Sequence, residues 1–196
     1  MKTTLVLGLV LAGIGSLIAR GSQDPADIAK EMEKMKKWTE PGKNHETLKK
    51  FLGSWTTETK FFFGDKASPP TEGTAEGEWL MEGRWLRFES NTPKLMGKPF
   101  RSFCVLGYDN FKKSFVATTV SSWDTAMIRI EGDLDQHGKS LIAYGTLDEY
   151  MTGEHDKAIK VAWRFESADR FIMEVHDLPI GETHTKVFEI AYTRKK

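Results

Sequence analysis

From residue 55 onward, the chain alternates between apolar and polar residues with a period of two, and turn residues interrupt the alternation at short intervals. The pattern is clearest where Ile159 and Val161 fall on one face of a segment and Lys160 and Arg164 fall on the other. Side chains two residues apart share a face of a β-strand, whereas an amphipathic helix repeats its apolar residues every three or four positions. The sequence therefore predicts an all-β domain rather than alternating helices and strands.

Ten segments follow this pattern and are predicted to be strands: 55–63, 73–81, 84–91, 100–108, 114–122, 126–133, 140–149, 158–166, 170–177 and 185–194. Turn residues such as Glu82-Gly83 and Asp109-Asn110 separate most of them. Because the connections are short, neighbouring segments pair most naturally as antiparallel hairpins, and ten strands are enough to close a barrel. We expect an antiparallel up-and-down barrel of about ten strands, in which the longest connection, Gly64 to Gly73, could overhang an open end.

The N-terminal 19 residues have the features of a secretory signal peptide. Lys2 provides a positive start, an apolar stretch follows up to Ala19, and polar residues resume at Arg20. This stretch is shorter than the ~20 apolar residues that a membrane-spanning helix requires. We therefore expect an exported protein, periplasmic or secreted, with no integral membrane span after cleavage. The predicted organisation is a signal peptide at 1–19, a helix and linker at 20–42, and one barrel domain at 43–196.

Two helices are predicted before the strands. Asp24 as N-cap and Pro25 at the first helical position indicate a helix that ends at Trp38. Its apolar stripe is narrow, which favours a loosely attached surface helix, although it could also lie across the barrel, extend as a linker or pair with another chain. Asn44 is the expected cap of a second, short helix, 45–51, whose apolar residues could plug one barrel end.

Charge and cysteine content exclude several classes of function. The chain has 28 Lys plus Arg and 28 Asp plus Glu, and removal of residues 1–19 takes away only Lys2, which leaves 27 against 28, or −1. This balance gives no electrostatic reason to expect binding to nucleic acid or anionic lipid. Cys104 is the single cysteine, so an intramolecular disulfide is impossible. Stability must come from burial, for which six Trp and twelve Phe are ample.

An ordered set of short motifs accompanies the strands: His45-x-x-Leu48, Leu52-Gly53-x-Trp55, Glu82-Gly83-Arg84-Trp85-Leu86, Gly107-Tyr108-Asp109 and Phe188-Glu189-Ile190-x-Tyr192-Thr193-Arg194-Lys195. With these motifs, residues 42–196 resemble domain-of-unknown-function family 1579, whose members are bacterial and often exported. The resemblance implies a lipocalin-like barrel. It implies no activity, because none is established for the family.

The same motifs imply how the barrel closes. In calycin barrels, which the chain resembles, the Gly-x-Trp tryptophan packs at the closed end beneath an arginine of the last strand. Gly53, Trp55 and Arg194 match these positions. The cation–aromatic contact is worth about 0.5 to 2 kcal/mol and supports the fold, so we do not expect these residues to bind a ligand.

A closed barrel with an aromatic-rich interior and no catalytic signature suggests a protein that binds a small apolar or amphipathic molecule in its lumen. The candidate ligand contacts are Trp79, Tyr108, Trp123, Arg129 and Tyr144. Trp123 lies in a strand connection, where it could stack on a ligand or only cap the core. The face that each of these side chains occupies depends on register, since a slip of one residue reverses it.

Metal and cofactor sites have little support in the sequence. Asp133-x-Asp135-x-His137-Gly138 begins like a calcium loop, but Tyr144 stands where the twelfth position requires a bidentate carboxylate, so a plain hairpin turn is favoured. No two histidines have the close spacing of a zinc motif, although ligands on separate strands could still meet. We expect neither a metal ion nor a cofactor.

Haem is the sharpest alternative among cofactors. Nitrobindin-type barrels share the ten-stranded architecture that this chain resembles, and they place a proximal histidine near the end of the last strand. Here residues 188–191 contain no histidine. His176, on the neighbouring strand, is the only substitute for that axial ligand, and as the polar end of its strand it is expected to face solvent.

Catalysis is the alternative to simple binding. Cys104 lies between Phe103 and Val105 within a predicted strand, which favours a buried, inert thiol. No Gly-x-Ser-x-Gly elbow is present. Acid–base chemistry stays open, because a lumen can desolvate a carboxylate and raise its pKa.

Arg87 and Glu89 share a strand face, as do Arg129 and Glu131. Burial statistics favour the outer surface for both pairs, although one pair could point inward. An isomerase, cyclase or hydrolase would need an inward cluster among these four side chains: Glu78, Glu89, Glu131 and His176. A third possibility is an envelope adaptor that acts through the helix at 24–38.

Overall fold

The structure, a computed structural model, describes residues 25–150, 152–179, 181 and 185–196. The chain divides into two compact units, one ending at Glu40 and one spanning Pro41–Lys196. The elements are helix α1 (Pro25–Thr39), a 3₁₀ helix (Lys43–Phe51) and strands β1 (Gly53–Phe63), β2 (Lys66–Ala67), β3 (Thr71–Leu80), β4 (Trp85–Leu95), β5 (Lys98–Asp109), β6 (Ser114–Ser121), β7 (Ile128–Leu134), β8 (Ser140–Glu149), β9 (Glu154–Ser167), β10 (Arg170–Asp177) and β11 (Lys186–Arg194). The expected signal peptide at 1–19 and the expected N-cap Asp24 lie outside the described residues.

Ten of the eleven strands in the described part of the chain form one closed antiparallel barrel. Each strand from β3 to β10 pairs with the next along the chain, β1 pairs with β3, and β11 returns to pair with β1. In that closing pair, Trp55 lies opposite Arg194 and Phe61 lies opposite Phe188. The additional strand, β2, forms a two-residue pairing with the end of β1. The predicted ten-stranded up-and-down barrel is therefore confirmed, and closure pairs both edges of the sheet.

The 3₁₀ helix begins earlier than predicted and has a different cap. It starts at Lys43, and Gly42 rather than Asn44 occupies the N-cap position. The His45 N–H donates to the Gly42 carbonyl at 2.9 Å, and the Gly42 N–H donates to His45 Nδ1 at 3.0 Å. The prediction of Asn44 as cap was wrong, because His45 Nδ1 accepts the hydrogen bond from the backbone N–H of Gly42 at the helix terminus.

This 3₁₀ helix closes one end of the barrel. Leu48 and Phe51 are almost wholly buried. The Phe51 ring is edge-on to four aromatic rings of the barrel, those of Phe88, Trp163, Phe165 and Phe171. The helix approaches β3 so closely that a Cβ atom at Gly77 would lie 2.1 Å from the Phe51 carbonyl oxygen, so only glycine fits there. We call this the plugged end and the opposite end the mouth.

Helix α1 belongs to the first unit and is mostly exposed. An ion pair between Lys34 and Glu31, three residues apart, supports its solvent face. Met32 is 58% exposed and Trp38 is 38% exposed, which fits the narrow apolar stripe expected from the sequence. Within the described residues, no helix is both long enough and apolar enough to cross a membrane.

Candidate functional site

Register divides the residues of the barrel into an inner and an outer face. Residues paired across neighbouring strands lie on the same side of a sheet, so one buried residue determines the side of its lateral partners. From the buried Leu106, the pairs lead through Ala117, Ile130 and Gly145 to Ile159. The remaining strand pairs lead around the barrel and return to Leu106 on the inner face. The inner face can therefore be described residue by residue.

At the plugged end, Trp55 and Arg194 meet beneath the 3₁₀ helix. The Trp55 indole Nε1 donates to the Phe51 carbonyl at 3.0 Å, and the Arg194 guanidinium lies 4.1 Å from the centroid of the indole ring. Arg194 Nη1 also donates to the Leu52 carbonyl at 2.5 Å. Gly53 has a φ of +94°, the left-handed region that favours glycine, and a Cβ there would lie 2.9 Å from Arg194 Nη1. These contacts tie the helix to the barrel, and buried side chains such as Leu48, Phe51 and Trp55 occupy this end.

The half of the lumen nearer the mouth has two chemically different walls. Serine and threonine hydroxyls predominate on β1 and β4 to β6, beside Phe61 and Phe100 at the mouth, and form the hydroxyl wall: Thr57, Thr59, Ser90, Thr92, Ser102, Thr119 and Ser121. Apolar, mainly aliphatic side chains line β7 to β11 and form the aliphatic wall: Ile128, Ile130, Leu147, Ile159, Val161, Met173, Val175, Phe188 and Ile190. The walls meet where Thr59 pairs with Ile190 and where Thr119 pairs with Ile128.

Residues halfway along the lumen keep partial solvent exposure. Cys104, Met173 and Ile190 lie on the inner face, yet each is only partly buried. Because the barrel wall separates these side chains from the outer surface, their partial exposure indicates free space beside them within the lumen. The Cys104 thiol nevertheless lies among enough protein atoms that desolvation raises its pKa to about 11, despite its hydrogen bond with Thr119.

One ion pair lies on the inner face at the mouth. Lys157 Nζ is 2.6 Å from Asp177 Oδ2, and both side chains are largely buried. Lys157 pairs with Leu147 and Asp177 with Ile159, which places both on the same side as the aliphatic wall. The hydrogen bond to Asp177 raises the pKa of Lys157, so the ammonium group is charged at neutral pH. The second carboxylate oxygen, Asp177 Oδ1, is buried without a hydrogen-bond partner.

Among the described residues, two cavities lie at the barrel surface, and they share Arg101 and Ser122. The larger has a volume of about 760 Å³, opens to solvent and is lined by residues at the β4–β5, β6–β7 and β8–β9 connections, including Trp123 and Tyr150. We call it the rim cavity. The smaller, about 480 Å³, crosses the outer faces of β3 to β6. Arg101 lies on the outer face, since its pairing partner is Asn91 and the neighbouring Ser102 belongs to the hydroxyl wall.

The five residues predicted as ligand contacts occupy three different places. Trp79 and Tyr108 lie on the inner face near the plugged end, where both pack against the core. Trp123 lies at the rim, 43% exposed, with its ring edge-on to that of Phe100. Arg129 and Tyr144 lie on the outer face, where Tyr144 is 55% exposed. The structure therefore does not bring the five together around one ligand.

The ionisable residues required by the enzyme alternative all lie on the outer face. Glu78 forms an ion pair with Arg87, and Glu131 forms one with Lys112. Glu89 pairs with Phe103, and both lie on the outer face because the preceding pair, Phe88 with Cys104, lies on the inner face. His176 shares its face with Glu174, and desolvation lowers its pKa. None of these four candidates faces the lumen, so His176 is also not placed as an axial ligand there.

The acidic segment at the β7–β8 connection is a hairpin turn. Asp135 Oδ1 accepts hydrogen bonds from the backbone N–H groups of His137 and Lys139, at 3.1 and 2.8 Å. These bonds lower the pKa of Asp135, with the bond from Lys139 contributing most. Across the part of the chain that the structure describes, no group of three or more His, Cys, Asp or Glu side chains is arranged to hold a metal ion.

Sequence reasoning missed three parts of the site: the hydroxyl wall, the ion pair at the mouth and Arg101. A signal for the wall was present, because Thr57 and Thr59 follow Trp55 at steps of two and therefore share its face. The ion pair had no such signal, since it joins β9 to β10 through a register that the sequence does not reveal.

Comparison with solved structures shows the barrel fold in Rv2717c from M. tuberculosis, which matches with a TM-score of 0.58 and 14% sequence identity, over 79% of this chain and 99% of that chain. A redesigned β-barrel matches with a TM-score of 0.40 and 7% identity, over 76% of this chain and 96% of that chain. No curated protein matches the chain.

The family model gives the more specific result. The model described as "Protein of unknown function (DUF1579)" matches residues 40–194, which include the 3₁₀ helix, the eleven described strands and the closing Trp55–Arg194 contact. The match agrees with the resemblance seen in the sequence motifs, and it covers well over half of the chain. The chain therefore belongs to the DUF1579 family.

Proposed function

We propose that the barrel binds a small amphipathic molecule in the half of the lumen nearer the mouth. Its apolar part would lie against the aliphatic wall and its polar group toward the hydroxyl wall. The observation that supports this proposal is the division of the inner face into these two walls. Removal of apolar surface from water stabilises a complex by roughly 25 cal/mol per Å², and a few placed hydroxyls orient the ligand.

The dimensions of the barrel support the proposal. Barrels of about eight strands have an interior that side chains can fill or that holds one small ligand, and the diameter grows with strand number. This barrel has ten strands, and small side chains occupy several inner positions, including Ala75, Ser90, Ala143 and Gly145. The partial exposure of Cys104 is consistent with space that reaches the middle of the lumen.

Two neighbouring residues of β6 allow a matched test. Thr119 is on the inner face opposite Cys104, whereas Thr118 is on the outer face opposite Val105. We expect Thr119→Trp to weaken binding of phenylnaphthylamine, an uncharged fluorescent probe, at least about tenfold, because the indole would fill the lumen. Thr118→Trp adds the same side chain outside and should change the affinity less than about twofold. Fluorescence titration of both variants measures the difference.

Circular dichroism and thermal unfolding establish that each variant is folded before titration. Should Thr119→Trp fail to fold, Ser102→Phe introduces a smaller aromatic group at a neighbouring inner position. Equal affinities for an inner-face variant and the outer-face control would contradict a lumenal site.

We also propose that the protein acts outside the cytoplasm. The support is the signal-like sequence of residues 1–19, with Lys2 followed by an apolar stretch. Cell fractionation combined with N-terminal sequencing of the protein from its host tests this. The expected result is a mature chain in the periplasm or medium that starts near residue 20. An intact N-terminus in the cytoplasmic fraction would contradict it.

A further inference from the structure

The rim cavity shares no lining residue with the hydroxyl wall or the aliphatic wall, and it combines aromatic side chains with two cationic ones. Trp123 and Tyr150, 43% and 64% exposed, lie among its lining residues. Large exposed aromatic side chains around a concave surface are typical of binding sites rather than of ordinary protein surface. Phe100 supports the Trp123 ring, with ring centroids 4.9 Å apart at an interplanar angle of 68°. The Phe100 ring therefore supports the Trp123 indole, which presents an apolar surface to the cavity.

The charges of the cavity are unbalanced. Lys98 and Arg101 are among its lining residues, and Asp124 is its one carboxylate among the described lining residues. That carboxylate is engaged within its own connection, since Asp124 Oδ1 accepts from the Ala126 N–H at 3.1 Å and Oδ2 accepts from the Ser121 hydroxyl at 3.3 Å. Two cations therefore outnumber the one lining carboxylate, which is already hydrogen-bonded within its own connection.

The phenol of Tyr150 adds a hydrogen-bond donor. Desolvation and the nearby carboxylates of Asp124 and Asp148 raise the pKa of Tyr150, so the group stays protonated at neutral pH. A protonated phenol can donate to an anionic oxygen. Arg101 can bind the same kind of oxygen through two parallel N–H groups.

We propose that the rim cavity binds a small aromatic anion, with its acid group at Arg101 and its ring against Trp123. The site is independent of the lumenal site. Arg101, which would bind the acid group, lies on the outer face of β5, whereas the adjacent Phe100 and Ser102 lie on the inner face. A carboxylate, sulfonate or phosphate attached to an aromatic ring has the required chemistry.

Two related fluorescent probes separate the contributions of charge and ring. Anilinonaphthalene sulfonate carries the anion, and phenylnaphthylamine has a similar ring system without it. We expect Arg101→Gln to weaken binding of the sulfonate about tenfold, since it removes charge-assisted hydrogen bonds. It should leave the neutral probe within about twofold. Arg84→Gln, a change at the plugged end where Arg84 pairs with Glu82, serves as the matched control and should alter neither affinity.

Further variants locate the site and distinguish the two proposals. Trp123→Ala should weaken binding of the sulfonate, because the ring contact is lost. Thr119→Trp should weaken binding of the neutral probe in the lumen and leave binding of the sulfonate unchanged. Unchanged sulfonate affinity in both Arg101→Gln and Trp123→Ala would overturn the rim site. Loss of sulfonate affinity in Thr119→Trp would overturn its independence from the lumen.

Discussion

Cys104 is the single thiol of the chain and lies on the inner face, between Phe88 of β4 and Thr119 of β6. Its side chain is partly exposed, and desolvation raises its pKa. The thiol borders free space in the lumen, but the surrounding protein atoms disfavour its charged form. A thiolate is the reactive form of cysteine, so this residue should react slowly although it is not fully buried.

The alkylation rate of Cys104 should therefore depend unusually on pH. With a pKa of about 11, the thiolate fraction and the rate should rise about tenfold per pH unit from pH 7 to 10, with no plateau. An ordinary exposed thiol would level off above about pH 9. Mass spectrometry of iodoacetamide-treated protein measures the rate, and the urea-unfolded chain is the control. A plateau near pH 9 in the folded protein would contradict the desolvated environment.

Individual residues were predictable from the sequence where a role depends on chain position alone. Gly53, Trp55 and Arg194 could be related through motif order, and the structure places the guanidinium 4.1 Å from the indole ring. Arg129 and Tyr144 depend on which face each strand presents, and register decides this. Their place on the outer face follows from their pairing with Thr146 and Glu131, which no local pattern reveals.

At the scale of elements, the 3₁₀ helix determines that the barrel is closed at one end. Its Phe51 reaches the aromatic core, and its backbone lies against Gly77 of β3. A glycine within a strand normally weakens it, because it lacks a side chain to pack and loses more entropy on folding than other residues do. At this position the absence of a Cβ is what allows the helix to approach.

Gly77→Ala should therefore destabilise the protein, although alanine is usually the better residue in a strand. The added Cβ would lie 2.1 Å from the Phe51 carbonyl oxygen, and relief of that overlap must displace the helix. We expect a loss of about 1 to 3 kcal/mol in the free energy of unfolding, measured in urea. Gly42→Ala is the control, since a Cβ there meets nothing within 4 Å. A neutral or stabilising Gly77→Ala would contradict the described contact of helix and strand.

The strands themselves were predictable because alternation is a local property. The eighth predicted strand begins at residue 158 and the observed β9 begins at Glu154, and both contain the buried Ile159 and Val161. The two-residue β2 was not predicted, since two residues are too few to show a period. The cap of the 3₁₀ helix was misassigned because the His45 side chain replaced the expected asparagine, which a cap rule based on residue type does not anticipate.

At the scale of the whole molecule, closure of the barrel produces the proposed site. The strand order brings β11 back to β1, and this places the hydroxyl wall of β1 and β4 to β6 opposite the aliphatic wall of β7 to β11. Neither wall is a feature of one segment. Each of these strands contributes only one or two residues to a wall, so the amphipathic lumen exists only in the closed structure. The sequence therefore suggested a lumen but not its two sides.

Native mass spectrometry of the protein purified from its own host, followed by solvent extraction, tests the central claim most directly. We expect the wild-type chain to retain a small amphipathic molecule that is released on unfolding. Thr118→Trp should retain the same molecule, and Thr119→Trp, in which the lumen is filled, should not. An empty wild-type protein, or equal loading of the two variants, would contradict the account of the lumen as a binding site.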